Sequence, residues 1–349
     1  MNACLRKKML AIAISCVALI TAESLSAAEK KMTQSTAQSP TMVELSNVMP
    51  AANSVGLLVT ADVLYWNVTQ PGLEYVFEQT TPATSTFYKG SYKSPNSSHW
   101  DVGARAGIGY VSPKGGWDLI ATWSYLHANQ KHNTLAPVGG ALFDNVDEYE
   151  EITNASSQFS FKLDLLDLVV GKSFFINQGF SLRPYVGLRT AWVKERQQVT
   201  ESGGYLTIEG VNFTSVSFKN NFWGLGFRGG MDATWKWTKD WGFYGDFGLN
   251  LLPGRFHLQG TQSITIGALT NPIVDFRDTS RTQQLIVDGS IGVKWNKSFS
   301  QDRYNIMLHL AWENHIFINQ WRWEGIEFSP TSSGNLATMG FTFGGSFIF

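Results

Sequence analysis

Only two of the 349 residues are cysteines, Cys4 and Cys16, and both lie in the first few turns of chain. No disulfide or thiolate metal site can form beyond them. Charge is sparse at 16% and almost balanced, with a net value of -1, which gives no electrostatic case for nucleic acid as a partner. Past the N-terminal segment no apolar run reaches the length of a transmembrane helix. The six histidines, His99, His127, His132, His257, His309 and His315, show no HExxH spacing, and no G-x-S-x-G elbow occurs. His99 with Asp101, or His257, could imitate part of a dyad, as polar residues at any rim do. No enzyme activity, no metal and no cofactor is therefore expected.

Glycine (33) and aromatics (13%, with 13 Trp) are abundant. The N-terminus reads as a processing segment: Arg6, Lys7 and Lys8 precede the apolar stretch Met9 to Ala22, and Ser26 to Ala28 supply small residues. Residues 1–28 are expected to be a signal peptide cleaved after Ala28, with Ala27 as the alternative. Lipidation at Cys16 is disfavoured, because Ala13 stands where such sites place Leu and the apolar run continues past the cysteine. Removing 1–28 takes away three basic residues and one acidic, leaving a net charge of -3. The polar stretch 29–54 reads as a periplasmic leader or a partial plug.

The rest of the chain, 55–349, alternates. In "WGLGFRGGMDATWKW" (Trp223 to Trp237) the odd positions are almost all apolar, and the even ones are Gly, Arg, Asp, Thr or Lys. A strand places such sets on opposite faces; a helix would mix them. Similar segments are Val55–Val68, Trp100–Tyr110, Trp117–Tyr125, Phe159–Lys172, Phe180–Arg196, Trp241–Phe256, Leu285–Trp295, Tyr304–Phe317 and Leu336–Phe349. Ten strands result. Short turns follow the second, fourth, sixth and eighth strands, and long loops the first, third, fifth, seventh and ninth. Tyr110, Trp117, Phe180, Trp235, Trp237, Trp241, Trp295 and Tyr304 flank the short turns in the apolar phase, as an interfacial girdle would. The expected fold is all-β: a transmembrane antiparallel up-and-down β-barrel in the bacterial outer membrane, with periplasmic short turns and extracellular long loops.

Three segments resist this pattern. Asp167 falls in the outward phase unless a bulge lies near Leu165–Leu166. Pro184 calls for a bulge or a strand start. "GLEYVFEQT" (Gly72 to Thr80) could extend the first hairpin or add strands, which leaves twelve as the alternative count.

The charges assigned to the inner face are Arg105, Arg183, Arg189, Arg228, Lys236 and Lys294, against Asp62, Asp101, Asp118, Asp232, Asp246, Asp288 and Glu313. Facing lipid, each Arg or Lys would cost about 2–4 kcal/mol at mid-membrane. Two readings stay open: a pore lining that sets ion preference, or an ion-pair network filling a narrow lumen. Inward glycines such as Gly230 and Gly248 either leave room for long side chains or relieve strain. The acidic loop 126–157, with "DNVDEYEE" (Asp144 to Glu151), is a candidate for partner contact or a solvated tip. The chain ends on Phe349 in phase with Phe347 and Phe343. That places the last strand against lipid, where it must pair with the first to leave no open edge. It also matches the kind of terminal signal read by the barrel assembly machinery.

"ADVLYWNVTQPGLEYV" (Ala61 to Val76), "LRPYVGLRTAWV" (Leu182 to Val193), "NFWGLGFRGGMDATW" (Asn221 to Trp235) and "LAWENHIFINQW" (Leu310 to Trp321) resemble the Legionella-type major outer membrane protein family. The family is similar in role to chlamydial-type major porins. The resemblance implies a pore for ions and small hydrophilic solutes, with loops that contact host cells, and it supplies no catalytic residues. The lack of cysteine departs from the disulfide-linked chlamydial type. A closed structural or adhesive barrel is the alternative function, and the sequence leaves the choice between monomer and homo-oligomer open.

Overall fold

The computed structural model describes residues 56–80, 89–95, 99–112, 115–144, 151–300, 303–323 and 332–349. The expected signal peptide, the leader and the middle of the acidic loop (145–150) lie outside these residues. The strands are β1 (Leu57–Thr69), β2 (Val76–Gln79), β3 (Gly90–Lys93), β4 (Trp100–Val111), β5 (Trp117–Leu135), β6 (Ala141–Asp144), β7 (Glu151–Ile152) and β8 (Asn154–Lys172). They continue as β9 (Phe174–Phe175), β10 (Phe180–Ser202), β11 (Phe213–Lys236), β12 (Trp241–Ile266), β13 (Leu269–Phe299), β14 (Tyr304–Trp323) and β15 (Ser332–Ile348).

Ten of them close a ring in the order β1, β4, β5, β8, β10, β11, β12, β13, β14, β15, with β15 antiparallel to β1. Closure removes the open edge that a bilayer cannot tolerate. Backbone bonds from Leu57 N to Phe349 O and from Phe349 N to Leu57 O, both 3.0 Å, finish the seam at the last residue. The segment at Gly72 to Thr80 adds no wall strand. Its Val76–Gln79 pairs instead with β3 and β6 in a small separate sheet, so the ring has ten members.

Neither expected bulge is present. Pairing of β8 with β5 and β10 runs through Leu165 and Leu166 without a register shift, and Asp167 points inward beside Arg189. What changes at this point is the face that carries the apolar residues. Leu166, Leu168 and Val170 are exposed on the outside, whereas Phe159, Phe161, Leu163 and Leu165 are buried on the inside. The same switch occurs between Phe222, inside, and Trp223, outside. Pro184 bonds into the β11 pairing but lies just beyond the start of the β8 pairing at Tyr185. Its missing N–H therefore breaks no ladder bond.

The switch divides the barrel into two levels. Near the short turns the outer face is apolar, bounded below by Tyr110, Trp117, Trp235 and Trp241. It is bounded above by a second set of outward aromatics, Tyr65, Trp123, Trp192, Trp223, Trp312 and Phe341. From Trp100 to Tyr110 on β4 the two edges are about ten residues apart, the reach of a tilted transmembrane strand. Beyond the upper edge the strands continue with polar outer faces and apolar inner ones, which makes them longer than the lipid-facing pattern alone predicts. β5 reaches Leu135 and β8 starts at Asn154, so the loop expected at 126–157 is mostly strand.

Candidate functional site: the barrel interior

At mid-height the inward charges meet in ion pairs whose members come from different strands. Arg105 on β4 donates two hydrogen bonds to Glu313 on β14, at 3.0 and 2.8 Å, and lies 3.5 Å from Asp62. Arg189 on β10 donates two to Asp167, at 2.6 and 2.7 Å, and one to Asp288 on β13 at 2.7 Å. Arg228 also reaches Asp288, and donates to Asn250 Oδ1 at 3.1 Å. His315 Nδ1 lies 2.8 Å from the other Asp288 oxygen. Arg183 is shared between Asp118 and Asp232. Bidentate geometry of this kind is where arginine outperforms lysine. Arg105–Asp62, Arg189–Asp167 and Arg183–Asp232 join neighbouring strands, whereas Arg105–Glu313, Arg189–Asp288, Arg228–Asp288 and Arg183–Asp118 reach strands two or three places away in the ring and so brace the wall across its curvature.

Closer to the short turns the lumen opens into a cavity of about 320 Å³, lined by Asp62, Asp232, Asp246, Lys294, Tyr244 and His309 among others. Tyr185 donates to Asp246 at 2.9 Å. Lys294 donates to Thr234 at 2.7 Å. Glycine makes room here: a Cβ at Gly248 would lie 2.8 Å from the Tyr185 hydroxyl. Lys236 shares a row with Lys294, separated from it by Gly242. Asp101 stands apart from the network, 3.6 Å from His99 at the outer end of β4. His257 is exposed and hydrogen-bonded to Thr279.

Towards the loops the lumen is filled. Trp66, Phe159, Phe161, Phe256, Phe317 and Trp321 are all 2% exposed or less. β8 and β14 are five places apart in the ten-strand ring and so face each other. Even so, the rings of Phe159 and Trp321 are only 6.4 Å apart. Two inward-folded segments make this closure. Leu73, Tyr75 and Val76 turn in after β1 and are fully buried. In β14 the register breaks between Phe317 and Trp321, where Asn319 has a left-handed φ of 53°. Buried backbone carbonyls need donors, and the wall supplies side-chain amides. Gln130 donates to Val68 O (3.0 Å), Gln197 to Leu73 O (2.8 Å), Asn220 to Gln320 O (2.7 Å) and Gln284 to Ile318 O (2.9 Å). Tyr75 is held by the His132 ring and by Thr134, each at 2.8 Å.

Sequence reasoning missed Asp167 as an inward partner, together with His315, the amides and the apolar closure. An inverted alternation, polar outside and apolar inside, was the available sign; it is plain in Ser156 to Leu165.

Among curated proteins nothing matches the chain. Solved structures similar to it include the outer membrane protease OmpT of Escherichia coli, at 11% identity, covering 86% of this chain and 100% of that one with a TM-score of 0.37. The P. putida toluene transporter TodX follows at 8% identity, 84% and 89% coverage and a TM-score of 0.30. A Pseudomonas aeruginosa FadL homologue shows 7%, 86%, 92% and 0.26 respectively. A family model described as the Legionella pneumophila major outer membrane protein precursor matches residues 50–349. The barrel, with its lipid-facing band and closed seam, thus belongs to the Legionella major outer membrane protein family and resides in the outer membrane.

Proposed function

We propose that the protein is a porin-like pore for ions and small hydrophilic solutes whose resting lumen is shut at the loop end. The observation that supports this reading is the contrast inside one lumen. A barrel built only as a solid post would pack its short-turn half as it packs its loop half. Here that half instead keeps a polar cavity lined by charges of both signs. Opening requires residues 70–76 and 317–321 to leave the lumen, where the Leu73, Ile318 and Gln320 carbonyls are held by exchangeable side-chain amide hydrogen bonds rather than by strand pairing. Planar-bilayer recording of the folded, cysteine-free chain tests the proposal. Brief discrete openings are expected, and Trp321→Ala should lengthen them. No channel in either protein, with heat-modifiable gel mobility showing both folded, would sink it.

A second reading, a permanently closed barrel acting through its loops, is favoured by the cross-wall ion pairs. It predicts that second outcome. Export through residues 1–28 and recognition of Phe349 by the assembly machinery complete the proposal. Deleting Phe349 should reduce insertion into the membrane.

A further inference from the structure

The outer face just beyond the upper aromatic edge carries an arrangement that the interior does not explain. Three pairs of like charges stand directly opposite each other across neighbouring strands: Lys162 with Lys194, Arg196 with Lys219, and Arg255 with Arg281. All six occupy outward positions. Like charges placed directly opposite destabilise a sheet, so three such pairs on adjoining strands need an outside anion to offset them. Acidic neighbours offer little. Asp164 lies 3.7 Å from Lys162, and among the described residues Lys194, Arg255 and Arg281 make no ion pair. Further up, Asp275 sits against Arg277.

Position identifies the anion. Trp192, Trp223, Arg255 and Arg281 form one continuous row across β10 to β13. On β12 and β13 the lipid-facing run ends at the paired, exposed Leu251 and Leu285, and Arg255 and Arg281 stand two outward positions beyond them, so the basic set begins just above the apolar band. The next two outward rows hold Lys162 with Lys194, then Arg196 with Lys219, a rise of about 14 Å along the strands. With strands tilted by about 40° this is about 11 Å of height, more than the roughly 5–8 Å headgroup layer of a simple phospholipid bilayer and in keeping with a larger, sugar-built headgroup. The face is also one-sided. On β14, β15, β1 and β4 the outward-phase residues above Trp312, Phe341 and Tyr65 include Asn314, Ile316, Ala337 and Asn67, and among the described ones Arg322, which donates to the Asn319 carbonyl, is the single basic residue.

We propose that the β8 to β13 face of the barrel binds phosphorylated glycolipid headgroups of the outer leaflet, with Lys194, Arg255 and Arg281 as the central contacts. Guanidinium pairs match phosphate oxygens in a fork geometry, and each charge works at short range in a headgroup layer of low water content. This inference rests on membrane orientation alone. It holds whether or not the lumen opens.

The test uses the folded barrel in neutral detergent, with lipid A (a bis-phosphorylated glucosamine lipid) as probe and its dephosphorylated form as control. Retention is read by native mass spectrometry. The wild-type chain should retain lipid A and largely lose the dephosphorylated form. A triple variant Lys194→Gln, Arg255→Gln, Arg281→Gln should bind about fivefold more weakly per charge removed, near a hundredfold in total. The matched variant Lys172→Gln, Lys239→Gln, Lys297→Gln, at the short-turn end, should bind as wild type. Equal retention of both lipids by the wild type would overturn the proposal, and that arm needs no variant to fold. So would equal loss in the two triple variants, or a soluble sulfated polysaccharide displacing lipid A from the face at equimolar concentration, which would make the partner a polyanion in solution.

Discussion

The two halves of the lumen are built on opposite principles, although the same ten strands run through both. Near the short turns, lipid outside makes apolar residues face out, and the interior inherits what is left: glycine, serine, arginine and aspartate. Near the loops, water lies outside, the pattern inverts, and the interior becomes an ordinary hydrophobic core. The change falls within one or two residues on each strand, at Leu165/Leu166 and Phe222/Trp223. Between the halves lies the arginine network, buried enough that its charges need one another and wet enough on one side to line a cavity.

The comparison can be broken in order of expected cost. Arg189→Ala removes one of the two arginines that bridge Asp167 and Asp288, leaving Arg228 alone between two buried carboxylates, and should cost about 3–5 kcal/mol. The measurement is the urea midpoint of the folded barrel in detergent, and Arg189→Lys should rescue only partly because it cannot pair bidentately. Trp321→Ala empties the loop half without touching the charges and should cost about 3 kcal/mol; the same urea titration reads it, with the short-turn half left folded. Gln197→Ala deprives the Leu73 carbonyl of its donor, a loss of about 1–2 kcal/mol. It should show chiefly as faster hydrogen exchange in residues 70–76 and much less as a shift in global stability.

Which parts of this were legible beforehand follows from the same contrast. Lipid imposes a strict period of two over a fixed length, so the ten strands, the lower aromatic edge and the inward charges can be read one strand at a time. The partners cannot. Arg105 meets Glu313 and Arg189 meets Asp288 only because ring closure and register bring distant strands to one height, and alternation carries no information about either. The apolar closure hid for another reason. Val68, Phe159, Phe161 and Phe317 read as further strand positions, and only the inversion of phase shows that they face inward. Residues 70–76 and 317–321 fold in through irregular backbone, at Gly72 with φ 90° and Asn319 with φ 53°, which no periodicity describes.

Because the chain from residue 29 onward contains no cysteine, the division of the lumen can be tested with single introduced thiols. Ser290→Cys would line the short-turn cavity, and Ser157→Cys would sit in the filled loop half, where the serine is 2% exposed. In the folded barrel a small water-soluble thiol reagent should label position 290 at least tenfold faster than position 157, and unfolding in urea should abolish the difference. Equal rates in the folded state would mean that water fills both halves alike, which would contradict the closed loop end.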